Sequence, residues 1–318
     1  MVVALYIIAL ILGLITLILF SDIFVDAASS LSIKLKVPKI LIALTIASFG
    51  TCTPELAISF NSIRTGNADM TLANVIGSSI VNILLIVGIA AIVKPIKVKD
   101  HIIKKELPIL VFITATFFIL LSDSIFKTDV INSLSRADAL VLMAWFLFFI
   151  YYIISIVRKN KKEENQKAKY DMFSSIIIII ICLFLITVAS DIVVDNSVEL
   201  AKRFGISQKI IAMTIIVIGT SLPELTMTVS AARKGEFDMA VGNIIGTNIF
   251  NICIVLGLPI LIFGKVSSAS FNIIDTLVVL VASLIFYLFG RSDKELSRKE
   301  GIVMVLVFVI YYTYIMFF

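Results

Sequence analysis

The sequence predicts an all-α membrane protein with ten transmembrane helices, arranged as two inverted-topology repeats of five. Three observations support this: the composition, the length of the apolar segments and a long internal repeat. Of the 318 residues, 60% are hydrophobic and only 15% are charged, whereas a soluble domain is nearer half apolar and a quarter charged. We therefore exclude a water-soluble enzyme.

The apolar residues fall in blocks of about 20, the length that a helix needs to cross a bilayer core of roughly 30 Å. A membrane β-barrel would instead show alternating segments of about ten residues, and the run 176–181 does not alternate. We predict ten spans, at residues 3–32, 38–64, 69–93, 103–121, 135–157, 172–202, 207–233, 239–263, 270–289 and 300–317.

The distribution of positive charge predicts the orientation. The loops after the odd-numbered spans hold 20 of the 27 lysines and arginines, and the other loops hold seven. The positive-inside rule places the first set in the cytoplasm, so that both termini lie outside an inner or plasma membrane. Cations confined to loops do not indicate a nucleic-acid partner despite the net charge of +5. The expected partner is the lipid bilayer, with no cofactor and no obligatory protein partner.

An internal repeat relates the two halves of the chain. The segment 50–56 recurs at 219–225, and the segment 74–83 recurs at 243–252, always with an offset of 169 residues. We divide the chain into a first repeat (1–157), a charged cytoplasmic linker (158–171) and a second repeat (172–318). Because five spans is an odd number, the second repeat must be inverted, which is typical of secondary transporters.

Each repeat places a glutamate about one turn from the centre of its second span, at Glu55 and Glu224. A carboxylate at that depth costs about 2.5–3.5 kcal/mol on insertion scales, so two are unlikely to occur without a function. The alternative is a pair of protonated glutamates bonded to neighbouring helices. The ligand-like residues around them favour a functional pair.

Pro54 and Pro223 directly precede these glutamates. Proline has no N–H to donate to the carbonyl four residues back, here that of Gly50 or Gly219. We therefore expect each helix to kink or unwind and to release carbonyl oxygens, which a bound cation would satisfy. The alternative is an ordinary proline kink, which the duplication with a following glutamate makes less attractive.

Helical spacing adds further oxygen ligands, because side chains four residues apart share a face of a helix. The pairs are Thr51 with Glu55, Thr220 with Glu224, Ser78 with Asn82, and Thr247 with Asn251. An all-oxygen set suits hard cations such as Ca²⁺, and no His or Cys cluster offers soft ligands for zinc or copper. The three cysteines, Cys52, Cys182 and Cys253, are expected to be free thiols.

The doubled Gly-Thr-x-x-Pro-Glu and Gly-(Ser/Thr)-x-Ile-x-Asn-Ile segments resemble the α-repeats of the cation/Ca²⁺ exchanger superfamily, most closely the prokaryotic sodium/calcium exchangers. The resemblance covers all ten spans. It implies exchange of Ca²⁺ for Na⁺, with Glu55 and Glu224 as the central carboxylates. It further implies ion contacts from the side chains or backbone of Thr51, Thr220, Ser78, Thr247, Ser221, Asn82, Asn251, Ser48 and Val217.

Two residues depart from the family pattern. Cys52 stands where a serine is expected, and a thiol is a poor Na⁺ ligand. Asn251 stands where relatives often have aspartate, which leaves two carboxylates and speaks against the potassium-dependent branch. A Ca²⁺/H⁺ exchanger is the alternative function, a cation channel is a further one, and no protease-like constellation suggests an intramembrane enzyme.

Five acidic residues occupy the outer parts of long spans 1 and 6. They either line an ion path and anchor moving helices, or simply bond neighbouring helices; they are Asp22, Asp26, Asp191, Asp195 and Glu199. His101, the single histidine, is expected to be solvated in a basic loop.

Overall fold

A computed structural model describes residues 2–66, 68–122, 132–159, 167–206, 211–267 and 273–317. Long helices dominate the described chain. In order they are α1 (Val2–Leu35), α2 (Lys39–Thr51), α3 (Thr53–Arg64), α4 (Asp69–Val93), α5 (Leu107–Leu120), α6 (Arg136–Lys159), α7 (Met172–Arg203), α8 (Thr214–Thr220), α9 (Leu222–Lys234), α10 (Phe237–Phe263), α11 (Ile273–Ser292) and α12 (Arg298–Phe317).

The helices coincide with the predicted spans. Within the described residues, six helices are long and apolar enough to cross a membrane, or eight if each bent pair, α2 with α3 and α8 with α9, forms one span. Helices α5 and α12 occupy predicted spans 4 and 10 but are not among these eight: α5 has only 14 residues, and α12 begins with three charged residues, 298–300. Half of the linker, residues 160–166, and the first residues of spans 7 and 9 lie outside the described residues.

Burial separates a central group of helices from a peripheral one. Helices α4 and α10 are largely buried inside the protein, whereas α1 and α6 expose most of their apolar side chains. A helix that is apolar on all sides must lie in a protein core or in lipid. The peripheral helices therefore present the lipid-facing surface, and α4 and α10 carry the polar residues of the interior.

Contacts between equivalent residues reveal the relation of the two halves. The Oγ1 atom of Thr114 in α5 lies 2.8 Å from the Oγ atom of Ser283 in α11, and these residues are 169 positions apart. Residues related by a repeat can touch only where its symmetry axis passes between them. The repeat therefore extends to the fourth helix of each half, and α5 and α11 meet on the pseudo-two-fold axis.

Two short antiparallel ribbons join the loops. Strand β1 (Ile96–Lys97) pairs with β4 (Glu295–Leu296), with Ile96 opposite Leu296. Strand β2 (Ser133–Leu134) pairs with β3 (Val266–Ser267), with Ser133 opposite Ser267. Each ribbon links one loop of the first half to one loop of the second, so it holds the two halves together outside the apolar interior.

The second span of each half is broken, as the prolines predict. Helix α2 ends at Thr51 and α3 starts at Thr53 with a bend of 46°, and the break between α8 and α9 bends by 51°. The residues at the breaks, Cys52 and Ser221, have ψ near zero, at 0° and 7°. Each proline lies in the first turn of the new helix, where its missing N–H costs nothing.

Wider, π-helical turns interrupt the central helices, which the sequence did not predict. They span Ala43–Ala47, Val81–Ile86, Ile102–Glu106, Ile211–Ile216 and Asn251–Leu256. Four of the five form two pairs at nearly the repeat offset, and these four adjoin or contain predicted site residues. Because a π-helical turn adds one residue to a helical turn, it redirects the side chains that follow, and such turns are frequent at functional sites.

Candidate cation-binding site

The two predicted glutamates lie in matching places at the broken spans. Glu55 lies in the first turn of α3 and Glu224 in the first turn of α9, and each is only 1% exposed. Their carboxyl groups are close enough to repel each other when both are ionised. The N-terminus of a helix carries partial positive charge, so each carboxylate is placed where its own helix stabilises negative charge.

The carboxylate oxygens lack partners within the described protein. Oε2 of Glu55 and both carboxylate oxygens of Glu224 are buried without a hydrogen bond. Buried polar groups are nearly always hydrogen-bonded, and an uncompensated buried charge is strongly destabilising. Two such groups side by side therefore indicate a place where a cation or protons bind.

Helices α4 and α10 add unpartnered amide and hydroxyl oxygens. Among the described residues, neither polar atom of the Asn82 side chain has a hydrogen-bond partner, and the same is true of Oδ1 of Asn251 and Oγ1 of Thr247. All three residues are buried. Oxygen atoms of this kind are suitable ligands for a hard cation, which is the chemistry predicted from the sequence.

The two halves meet directly at these residues. Nδ2 of Asn251 donates to Oγ of Ser78 at 3.1 Å, so the third helix of each half touches the other. Sγ of Cys52 lies 3.8 Å from the backbone oxygen of Thr247. Ser78 also donates to the backbone oxygen of Asn74 at 2.6 Å, which leaves its oxygen free to accept from Asn251.

Close backbone approach brings the helices together. A Cβ at Gly246 would lie 2.8 Å from Cα of Leu44, and one at Gly77 would lie 2.9 Å from Cγ1 of Val217. Glycine at positions 77 and 246 permits this close approach because it has no side chain. These contacts press α2 against α10 and α8 against α4, so each broken span is held by the opposite half.

The predicted backbone ligands adjoin the π-helical turns. Oγ of Ser48 donates to the backbone oxygen of Ala43, five residues back, at 2.8 Å, and also lies 3.1 Å from the backbone oxygen of Asn243. The backbone oxygen of Val217 accepts from the hydroxyls of Thr220 and Ser221 at 3.2 and 3.3 Å. The hydroxyl of Ser221 therefore bonds within its own helical turn, whereas the hydroxyl of Ser48 contacts backbone oxygens of both halves.

The two predicted threonines differ in their surroundings. Thr51 is buried, and its hydroxyl approaches the carboxylate of Glu224 in the other half. Thr220 is only half-buried. Each threonine hydroxyl donates to the backbone oxygen three residues back, Thr51 to Ser48 at 3.4 Å and Thr220 to Val217 at 3.2 Å. The two therefore differ in burial and in the approach of Thr51 to Glu224.

Two details of the sequence interpretation are wrong. Thr51 and Glu55 do not share a face of one continuous helix, because α2 ends at Thr51 and α3 runs in a different direction. A spacing of four residues does not place Thr51 and Glu55 on one helix face, because the predicted proline break lies between them. We expected the carbonyl oxygen of Gly219 to lack a hydrogen bond and to bind a cation instead. In the structure, Oγ of Ser190 donates a hydrogen bond to it at 3.0 Å.

Two asparagines near the glutamates were not identified from the sequence as site residues. Nδ2 of Asn74 donates to the backbone oxygen of Glu55 at 3.3 Å, and Nδ2 of Asn243 donates to Oγ1 of Thr228, one turn beyond Glu224, at 3.1 Å. Each asparagine braces the helix that carries a glutamate. Their position at the start of the second repeated segment was the signal that could have found them.

A second buried carboxyl lies at the start of α5. Glu106 is fully buried; its Oε1 atom accepts from the hydroxyl of Tyr152 at 2.6 Å and lies 3.3 Å from Nδ1 of His101, while Oε2 has no partner. His101 is therefore not simply solvated, although its side chain is 41% exposed. Sequence reasoning missed Glu106 because its neighbours looked like a basic loop.

The cysteines are free and buried, as predicted. Within the part of the chain that the structure describes, no group of three His, Cys, Asp or Glu side chains is placed to hold a metal ion. The candidate site thus combines two carboxylates with amide, hydroxyl and backbone oxygens.

Comparison with known proteins identifies the family. The sequence profile described as "Sodium/calcium exchanger protein" matches residues 5–155 and 174–317. The chain belongs to this family, and the resemblance seen in the doubled motif is confirmed.

Relatives and a solved structure agree over nearly the whole length. The putative antiporter CaxA of Alkalimonas amylolytica is 34% identical over 96% of each chain. The sodium/calcium exchanger MaX1 of Methanosarcina acetivorans is 33% identical, covering 94% of this chain and 95% of its own. A structure of the sodium-calcium exchanger NCX_Mj superposes with a TM-score of 0.82 at 29% identity, over 97% of this chain and 98% of that one. The predicted all-α membrane fold is confirmed, while the number of ten spans stays a prediction.

Proposed function

We propose that this protein is a secondary antiporter that exchanges Ca²⁺ for Na⁺ by alternating access around one central site. The observation that carries the proposal is the pair Glu55 and Glu224, which are fully buried at matching helix starts with unpartnered carboxylate oxygens. The names of MaX1 and NCX_Mj, both sodium/calcium exchangers, support the choice of ions.

Charge balance explains how the two ions compete. Two carboxylates are neutralised by one Ca²⁺ or by two Na⁺, so the site binds either cargo and disfavours an empty, doubly negative state. Thr51, Asn82, Asn251 and Thr247 would complete the oxygen shell, and Ser78, Ser221 and the backbone near Ser48 and Val217 would hold flanking Na⁺. Thr220 is the weakest member of the proposed set because, unlike the buried Thr51, it is only half-buried.

The uncharged side chain at position 251 sets the charge of the site. As an amide, Asn251 can donate to Ser78 at 3.1 Å and still offer Oδ1 to a cation. Since it adds no third negative charge, potassium or an additional proton is not needed for neutrality. This supports Na⁺ as the coupling ion.

The proposed setting is an inner or plasma membrane with both termini outside and the linker 158–171 in the cytoplasm. The proposal is supported by the 20 to seven division of lysines and arginines between the two sets of loops. In this orientation α1 and α9 both end at the cytoplasmic side.

The decisive experiment measures Ca²⁺ flux in proteoliposomes with an imposed Na⁺ gradient. The proposal predicts Ca²⁺ uptake that requires Na⁺ inside and stops when the gradient is collapsed. Uptake that ignores Na⁺ but follows a pH jump would establish a Ca²⁺/H⁺ exchanger instead. Voltage-driven Ca²⁺ leak with no exchangeable ion opposite would establish a channel.

A further inference from the structure

Matching faces of α3 and α9 have different surroundings. A face of α3 formed by every fourth residue is exposed, and its members are Thr53, Ala57 and Asn61. The corresponding face of α9, 169 positions later, is buried or half-buried, and its members are Leu222, Thr226 and Ser230. The difference arises because α1 packs along α9. The face of α9 that follows Glu224 is therefore covered by α1, whereas the matching face of α3 is not covered.

Polar contacts line the whole interface between α1 and α9. Oγ of Ser21 donates to Oγ1 of Thr226 at 2.8 Å. One turn further along, the hydroxyl of Ser230 donates to the carboxylate of Asp22. Nζ of Lys234, at the end of α9, donates to the backbone oxygen of Asp22 at 2.5 Å.

Asp26 joins this interface to a third segment of the chain. Its Oδ1 atom lies 2.5 Å from Nζ of Lys234, and its Oδ2 atom lies 2.7 Å from Nζ of Lys169, just before α7. The backbone N–H groups of Lys169 and Tyr170 both donate to Oγ of Ser30, at 3.1 and 3.3 Å. Each oxygen of one carboxylate thus binds a lysine from a different part of the structure.

The ion pairs are accessible but not fully solvated. Asp26 and Lys234 are each 27% exposed, so water screens their attraction only in part. The hydrogen bond to the Asp26 carboxylate raises the pKa of Lys169, so this lysine is charged at neutral pH. An isolated exposed pair contributes little, whereas charges that share a partner form a network.

The other half of the protein lacks the equivalent lysine. The repeat places Asp191 and Asp195 of α7 where α1 has Asp22 and Asp26, but it places Asn61 and Thr65 where α9 has Ser230 and Lys234. Asp191 and Asp195 are exposed, and neither of them forms an ion pair with another described residue. The repeat therefore preserves the two aspartates in both halves, whereas the lysine at position 234 has no counterpart in the first half.

We propose that Asp26, held by Lys234 and Lys169, is an ionic latch that keeps α1 closed over α9 and so favours the state open along α3. The end of α1 lies on the side with the excess of lysine and arginine, so the latch closes the predicted cytoplasmic route. The functional meaning of the latch rests on the proposed alternating access. Its release would expose the face of α9 and make the opposite orientation more populated.

Labelling of single added cysteines tests the latch without any transport assay. The native thiols are buried, so Ala57→Cys on α3 and Thr226→Cys on α9 serve as reporters for a charged, water-soluble maleimide. The full chain is labelled in nanodiscs without Na⁺ or Ca²⁺. With the latch intact, we expect fast labelling at position 57 and slow labelling at position 226.

Addition of Asp26→Asn should raise the labelling rate at position 226 about tenfold and lower the rate at position 57. The tenfold figure is the expected effect of losing two partly exposed ion pairs. Asp195→Asn is the matched control, because it removes the equivalent acid that has no lysine, and should leave both rates unchanged. Equal effects of Asp26→Asn and Asp195→Asn would overturn the latch.

Lys234→Gln keeps the proposal testable if Asp26→Asn fails to fold. It should reproduce the rise at position 226, and the double variant Asp26→Asn with Lys234→Gln should add little to either single change. Additive effects would show that the two residues act independently and would contradict the latch. A shift in labelling in a protein that shows no Na⁺-driven Ca²⁺ flux would retain the latch and reject the proposed function.

Discussion

The amide of Asn251 donates to the hydroxyl of Ser78 at 3.1 Å, and this bond joins the third helices of two halves that are separated by 173 positions in the sequence. Both residues are buried, and Oδ1 of Asn251 has no hydrogen-bond partner among the described residues. The bond therefore couples the relative position of α4 and α10 to the charge of the site.

Asn251→Asp should make Ca²⁺ exchange more steeply dependent on pH. The new carboxylate cannot donate to Ser78 and adds a third negative charge near two buried carboxylates, so it should bind a proton as the pH falls. The logarithm of the apparent Ca²⁺ affinity, plotted against pH, should gain a slope of up to about one proton. A slope identical to that of the parent would place Asn251 outside the cation site.

Glu55→Gln and Glu224→Gln should each abolish exchange while the protein stays folded. Each change leaves the remaining carboxylate with half of the charge that a divalent ion requires. Removing one charged partner from a buried contact between binding partners costs about 3–5 kcal/mol of binding free energy. That corresponds to a fall of about 100-fold or more in Ca²⁺ affinity. Initial rates of Ca²⁺ uptake in proteoliposomes check the prediction.

Glu106→Gln is the control for these variants. It removes another fully buried carboxyl, one that bonds to Tyr152 rather than facing the other glutamates. It should retain Na⁺-driven exchange. Substantial transport by either Glu55→Gln or Glu224→Gln would remove that residue from the site.

Cys52→Ser should strengthen the Na⁺ dependence of exchange. Cys52 is buried beside Thr247, and a hydroxyl oxygen is a better ligand than a thiol for a hard cation. The Na⁺ concentration for half-maximal Ca²⁺ release should fall, whereas Cys182→Ser in α7 should not change it. If the two variants give the same Na⁺ response as the parent, position 52 does not contribute to ion binding.

Gly246→Ala should destabilise the protein, because the added Cβ would meet Cα of Leu44 at 2.8 Å and its backbone oxygen at 2.9 Å. Overpacking of this kind costs about 1–3 kcal/mol. Thermal unfolding in detergent should show a melting temperature several degrees below that of the parent. Gly257→Ala, whose Cβ would have its nearest contact at 3.4 Å, should have a much smaller effect, and equal shifts would contradict the close approach of α2 and α10.

The sequence predicts the features that depend on composition and local chemistry. The proline breaks and the buried positions of Glu55 and Glu224 follow from residue type, hydropathy and the repeat. The structure describes each of them at the expected place. The repeat was especially informative because each half provides an independent test of the other.

The features that sequence reasoning missed depend on contacts between distant segments. The π-helical turn at Ala43–Ala47 has no local signal, since its stability comes from packing and from the bond between Ser48 and the backbone oxygen of Ala43. The partner of the Gly219 carbonyl, Ser190, lies on a different span. The pairing of Asp26 with Lys169 and Lys234 likewise requires three elements to be placed in space.

The central claim is that Glu55 and Glu224 bind one cation together, and calorimetric titration of Ca²⁺ into the purified protein tests it most directly. We expect one Ca²⁺ per chain, displaced by Na⁺, with binding lost in both Glu55→Gln and Glu224→Gln and retained in Glu106→Gln. Ca²⁺ binding of unchanged affinity and number in either glutamate variant would contradict the account.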